Sequence, residues 1–133
     1  MRRTVYLDSC IAIYLVEEHS LYRAVIEDAL ADLNGLVCHS PLTVLECIVL
    51  PLRLKRDDLV RKFSRFFALN TRLAMPDAVY SEAARLRAEF GLKTPDALHM
   101  ATAQFHDCSE LWTNDNRLAG VAGGIAVNLF SRK

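Results

Sequence analysis

The stretch Val5 to Leu15, VYLDSCIAIYL, is an apolar run interrupted by one carboxylate, Asp8. An unpaired buried carboxylate costs far more than one aspartate returns in stability, so this residue needs a reason to be there. Thr4 to Leu7 is short, β-branched and aromatic, which reads as a buried strand. Ser9 then reads as the cap of a helix carrying Ile11, Tyr14 and Leu15 at helical spacing. A strand running straight into a helix, with an acid at the junction, opens an α/β unit.

The rest of the chain repeats the alternation. A helix is expected from Leu21 to Leu33, stopped by Asn34-Gly35, followed by a strand over Leu36 to His39. Ser40-Pro41 signals the next helix, an N-cap with proline at the first helical position, and Pro51 is expected to end it. Asp57 to Leu69 reads as a helix and Thr71 to Ala74 as a short strand. Further helices are expected from Met75-Pro76 to Gly91 and from Thr94-Pro95 to His106. Glu110 to Thr113 reads as a strand, Asp115 to Leu118 as one helical turn, and Ile125 to Asn128 as a last strand. Alternating strands and helices imply a three-layer α/β domain, a central, mostly parallel sheet flanked by helices.

Composition narrows the class further. The 133 residues are expected to form one domain, 1–133, large enough for its own core. Sixteen basic and sixteen acidic residues cancel, so any attraction for nucleic acid must be local. The four cysteines show no CxxC pair and read as reduced, mostly buried thiols. Arg2-Arg3 before an apolar run suggests a signal peptide, but the apolar segment ahead of Asp8 is too short for one. No segment reaches the roughly 20 apolar residues of a membrane span. The expected location is cytoplasmic, without membrane contact.

In an open parallel sheet, ligands bind beyond the C-terminal ends of the strands. Asp8 falls at such an end. Glu46 lies one turn into the helix after the second strand, Asp96 in the first turn of TPDALH, and Asp115 after the strand LWT. Singly, three of these have ordinary explanations. An acid in a first helical turn gains about 0.3–1 kcal/mol, and Asp115 suits an N-cap. Together they would repel strongly: two like charges 4 Å apart cost roughly 4 kcal/mol at an effective dielectric near 20. A hard cation with oxygen ligands, Mg²⁺ or Mn²⁺, resolves the conflict and suggests metal-assisted hydrolysis of a phosphodiester. The basic residues Arg53, Lys55, Arg56, Arg61, Lys62 and Arg65, with Arg117, are candidates for holding a phosphate chain.

The segments LDSCIAIYL, SPLTVLE, KTPDALHMATA and WTNDNRL, in this order and spacing, resemble the PIN domain, in particular VapC-type toxins of toxin–antitoxin pairs. The resemblance implies a Rossmann-like fold and a Mg²⁺- or Mn²⁺-dependent ribonuclease acting on RNA. Its acidic residues correspond to Asp8, Glu46, Asp96 and Asp115, as both catalytic and metal-binding groups. Ser9 and Thr113 match small hydroxyl positions that help order the site, and Asn114 is expected to support it. The resemblance also implies a homodimer and a small antitoxin whose C-terminal segment blocks the acidic groove. Arg117 departs from the pattern, standing where some members carry a further acid, which would weaken a second metal site.

Competing readings carry less. His99 and His106 sit about 10 Å apart along a helix, too far for the i,i+4 spacing of zinc histidines. Cys10 with His39 lacks a nucleophile motif. An aspartyl-phosphate phosphatase wants a second acid where Cys10 stands, and a receiver domain wants a lysine missing from Glu110 to Asn116. The remaining alternatives are a PIN-like RNA-binding or assembly module without catalysis, and a nuclease of RNA maturation or DNA processing.

Overall fold

The computed structural model describes residues 3–131. Its first half runs β1 (Arg3–Leu7), α1 (Ser9–Val16), α2 (Tyr22–Ala31), β2 (Gly35–His39), α3 (Pro41–Arg53) and α4 (Asp57–Ala68). The second half runs β3 (Thr71–Arg72), α5 (Asp77–Phe90), α6 (Thr94–Phe105), β4 (Glu110–Thr113), α7 (Asn116–Ala119) and β5 (Ala126–Asn128). The five strands pair in the order β3-β2-β1-β4-β5, and every pairing is parallel. A wholly parallel sheet needs both faces covered, and its apolar strands provide for that.

Successive residues of a strand point to opposite faces, and β1 divides accordingly. Tyr6, with Leu111 of β4, packs into a core formed with Val79, Ala83 and Leu86 of α5 and Met100 of α6. Val5 and Leu7, with Trp112, pack on the other face against Ile11 of α1 and Ile26 of α2. A third cluster joins Ala12, Cys47, Phe63 and Phe67, tying α1 to α3 and α4. These are the helical layers of the expected three-layer arrangement. The four cysteines are free thiols, three of them buried.

The structure moves several expected boundaries. Ser9 does not cap α1: Asp8 is the N-cap, its side chain accepting from the Ser9 N–H. Pro51 does not end α3, which continues to Arg53 with Pro51 buried inside it. Proline forfeits only one helical N–H there, and it lies two residues from the helix end. The Ser40 cap holds, and with Thr43 it forms a capping box. Gly91 closes α5 in the left-handed conformation, φ 68°.

Gly35 has a different role from the one expected. It is the first residue of β2, paired with Arg3, and a Cβ added there would lie 1.7 Å from the Arg3 carbonyl oxygen. Glycine is therefore required for strand approach rather than for ending a helix. Gly35→Ala should destabilise the fold by about 1–3 kcal/mol, the usual cost of forcing atoms into a filled space. Urea denaturation of the two proteins checks this.

Candidate metal centre and active site

The strand order reverses direction beside β1: β2 and β3 lie on one side, β4 and β5 on the other. Such a switch point opens a crevice at the C-terminal strand ends. Asp8 and Asp115 sit at the ends of β1 and β4, which pair directly there. Glu46 reaches in from α3 and Asp96 from the first turn of α6.

Asp8 is held from two sides. Its Oδ1 accepts from the Ser9 N–H at 2.7 Å, and its Oδ2 accepts from the Thr113 hydroxyl at 2.7 Å. Thr113 Oγ1 also accepts from the Asp115 N–H at 3.1 Å, so one hydroxyl orders both strand ends. Asp115 caps α7, its Oδ1 accepting from the Arg117 N–H at 2.8 Å. Ser9 thus acts on Asp8 through its backbone. Asn114 turns aside, its amide donating to the Tyr14 hydroxyl at 2.8 Å.

Glu46 lies beside Asp8, and a third group joins them. His99 Nε2 is 2.5 Å from Glu46 Oε1 and 3.7 Å from Asp8 Oδ1. One ligand atom from each of Asp8, Glu46 and His99 falls within 4.8 Å of the others, the one group of three so placed among the described residues. Asp96 and Asp115 stand outside this tight group but within its field. Burial pushes the Asp96 carboxyl above the ordinary carboxylate range, and the charges of Asp8, Asp115 and Glu46 add to it, against His99. Among the described residues no lysine or arginine forms an ion pair with any of the four acids. An oxygen-rich, negatively charged crevice without a protein cation fits a hard divalent ion.

Other sequence candidates fall elsewhere. The His106 ring N–H donates to the Ala74 carbonyl at 2.8 Å, outside the acidic group that holds His99. Burial pushes the Cys10 thiol up to about 12, with Asp8 adding to it, the opposite of an activated nucleophile. His39 is bonded to Asn70 and packed on Phe67. The basic residues from Arg53 to Arg65 are exposed along the end of α3 and along α4, with Arg56 paired to Asp58.

Sequence reasoning set His99 aside as a zinc ligand, leaving it packed beside the site or in the core, and gave Tyr6, Ser40 and Thr43 no part in the site. The Tyr6 hydroxyl lies 2.6 Å from His99 Nδ1 and 2.7 Å from Ser40 Oγ. A tyrosine inside an apolar strand is the signal that was available, because a buried phenol requires a partner. Which partner it finds depends on folding across the sheet.

A family model of the PIN domain matches residues 5–124. The chain belongs to the PIN domain family. No curated protein sequence matches it significantly. Among solved structures, this PIN domain resembles a toxin–antitoxin complex from Klebsiella pneumoniae at 25% identity and TM-score 0.79, covering 96% of this chain and 99% of that one. It shares its fold with VapBC2 from Rickettsia felis, bound to a promoter DNA fragment, at 17% identity and TM-score 0.78, covering 94% and 98% of the two chains. VapC20 of Mycobacterium tuberculosis, a toxin that cleaves the sarcin–ricin loop, aligns at 13% identity and TM-score 0.75, covering 91% and 96%.

The Asp96 shift has a consequence for stability. Its carboxyl holds a proton more tightly folded than unfolded. The ionised form therefore costs stability at neutral pH, and that cost fades as pH falls through the raised folded value. Asp96→Asn should raise the melting temperature of the metal-free protein at pH 7. It should also flatten the change in stability between neutral and mildly acidic pH. Calorimetry in EDTA across that range checks both.

Proposed function

We propose that this PIN domain is a Mg²⁺- or Mn²⁺-dependent endoribonuclease, the toxin of a toxin–antitoxin pair. The observation that carries the reading is the convergence of Asp8 and Glu46, within the field of Asp96 and Asp115, at the switch point of a parallel sheet. Family membership and the toxin complexes of the same fold support it. RNA is proposed as the substrate by analogy with VapC20, a sarcin–ricin-loop-cleaving toxin of the same fold.

Asp8, Glu46, Asp96 and Asp115 would hold the ion. When bound, it acts as a Lewis acid, offsetting charge on the phosphate and acidifying an attacking water. The chain's own groups do the rest. Ser9 N–H and the Thr113 hydroxyl fix both oxygens of Asp8, so its orientation precedes any ligand. Asp96, at the start of α6, adds a carboxylate whose charge, set against those of Asp8, Asp115 and Glu46, a bound cation would offset. The exposed basic residues of α4 are placed to attract the backbone of an RNA chain.

A small antitoxin is the proposed partner, since the matched structures include toxins crystallised with one. The exposed apolar residues Leu45, Val49 and Leu52 of α3 lie at helical spacing and support a homodimer contact. Among the described residues no helix is long and apolar enough to cross a membrane. Cytoplasmic action on RNA is the reading that accords with the rest.

Purified protein incubated with single-stranded and structured RNAs should cleave in Mg²⁺ or Mn²⁺ and stop in EDTA. Asp96→Asn should lose activity by at least about 10- to 100-fold, no less than the loss of a group that only orients a metal ligand. Circular dichroism and the melting temperature of the same preparation separate lost activity from unfolding. Equal activity in the two proteins would refute the assignment.

A further inference from the structure

Behind the acids lies a chain of polar groups that the proposed chemistry does not use. His99 is fully buried, and both its ring nitrogens are engaged: Nδ1 is 2.6 Å from the Tyr6 hydroxyl, and Nε2 is 2.5 Å from Glu46 Oε1. The Tyr6 hydroxyl in turn lies 2.7 Å from Ser40 Oγ and 3.3 Å from Thr43 Oγ1. Ser40 and Thr43 are the capping box of α3, the helix that carries Glu46. The chain of bonds therefore starts at the beginning of α3, crosses β1 and α6, and returns to α3 one turn further on.

Counting hydrogens fixes the direction of these bonds. An ionised carboxylate only accepts, so the hydrogen between Glu46 and His99 belongs to Nε2. In the neutral ring Nδ1 is then an acceptor, and the Tyr6 O–H donates to it. The Ser40 hydroxyl donates to the Tyr6 oxygen, and no buried side-chain polar atom among the described residues is left without a partner. If the ring carried both hydrogens, Nδ1–H would donate to the Tyr6 oxygen and the Tyr6 O–H would turn to Ser40 or Thr43; Nε2–H would still face Glu46. In either form Nε2 has no lone pair to offer a cation.

We infer that His99 is a positioning residue and not a metal ligand: its Nε2–H orients the Glu46 carboxylate for the divalent ion, and Tyr6 fixes the ring. The inference rests on the proposed metal-dependent function. Groups that orient a ligand from behind commonly contribute 10- to 100-fold in metal affinity. A leucine at 99 keeps the volume and loses the donor. A glutamine keeps an amide N–H that can donate to the carboxylate.

The test titrates Mn²⁺ alone into folded wild type, His99→Leu, His99→Gln and Tyr6→Phe, reading free Mn²⁺ by electron paramagnetic resonance. His99→Leu should bind roughly 10- to 100-fold more weakly, His99→Gln within a few-fold of wild type, and Tyr6→Phe in between. Unchanged affinity in His99→Leu overturns the inference, and so does a loss in His99→Gln as large as in His99→Leu. Nitrogen-15 NMR of the wild-type imidazole should show Nε2 protonated; an unprotonated Nε2 also overturns it. That measurement and Tyr6→Phe decide the matter if His99→Leu does not fold. Wild type that fails to bind Mn²⁺ refutes the proposed function as well, whereas wild type that binds while the variants match it refutes this inference alone.

Discussion

Like charges gathered at one rim of a sheet are the constraint around which this fold is arranged. Asp8, Glu46, Asp96 and Asp115 come from four distant places in the chain, and burial together with the charges of the other three raises the Asp96 carboxyl. Nothing in the apolar core rewards such an arrangement. The chain contains it by binding particular oxygens with its own donors: Ser9 N–H and Thr113 on Asp8, Arg117 N–H on Asp115, His99 on Glu46. None of these donors need carry a full charge, so the crevice keeps its negative potential while its geometry is fixed.

The sheet makes this containment feasible. Parallel pairing of β1 with β4 places Leu7 opposite Trp112, and so sets the following residues, Asp8 and Thr113, within hydrogen-bond reach. The alternation of β1 matters equally. Val5 and Leu7 face one core, and Tyr6 faces the other, where α6 passes with His99. A slip of one residue in β1 would turn Tyr6 away from His99 and remove the Thr113 partner of Asp8 together. Strand register, core packing and site geometry are thus one condition here, not three.

Much of this was legible in the chain before folding. Five strands, the Ser40-Pro41 helix start, the Gly91 stop and the strand-end positions of Asp8 and Asp115 all follow from local chemistry. The misreadings share a physical origin. Gly35 and Pro51 carry strong local signals for ending a helix, but tertiary contacts decided otherwise: close approach to the Arg3 carbonyl in one case, burial of the proline within the last turns of α3 in the other. The capping of α1 by Asp8 instead of Ser9 is a choice between adjacent oxygens that sequence cannot resolve. The Tyr6–His99–Glu46 chain was illegible for a different reason. It is made of residues 6, 99 and 46, and no spacing rule connects them.

The two kinds of support around the acids differ in what they allow. Asp8 is tied through a backbone N–H and through a hydroxyl buried in β4 that the Asp115 N–H also holds. Glu46 is tied only through a side chain, and its own side chain remains partly open to solvent. Asp8 is therefore the rigid point of the crevice and Glu46 the adjustable one, with its freedom set by how firmly His99 is held. Tyr6 and the α3 capping box hold that ring from behind, so the same hydroxyls that begin the helix also limit the reach of the carboxylate one turn along it. A hard cation demands near-fixed oxygen positions, and this chain meets that demand by anchoring one carboxylate to the sheet and the other to the start of its own helix.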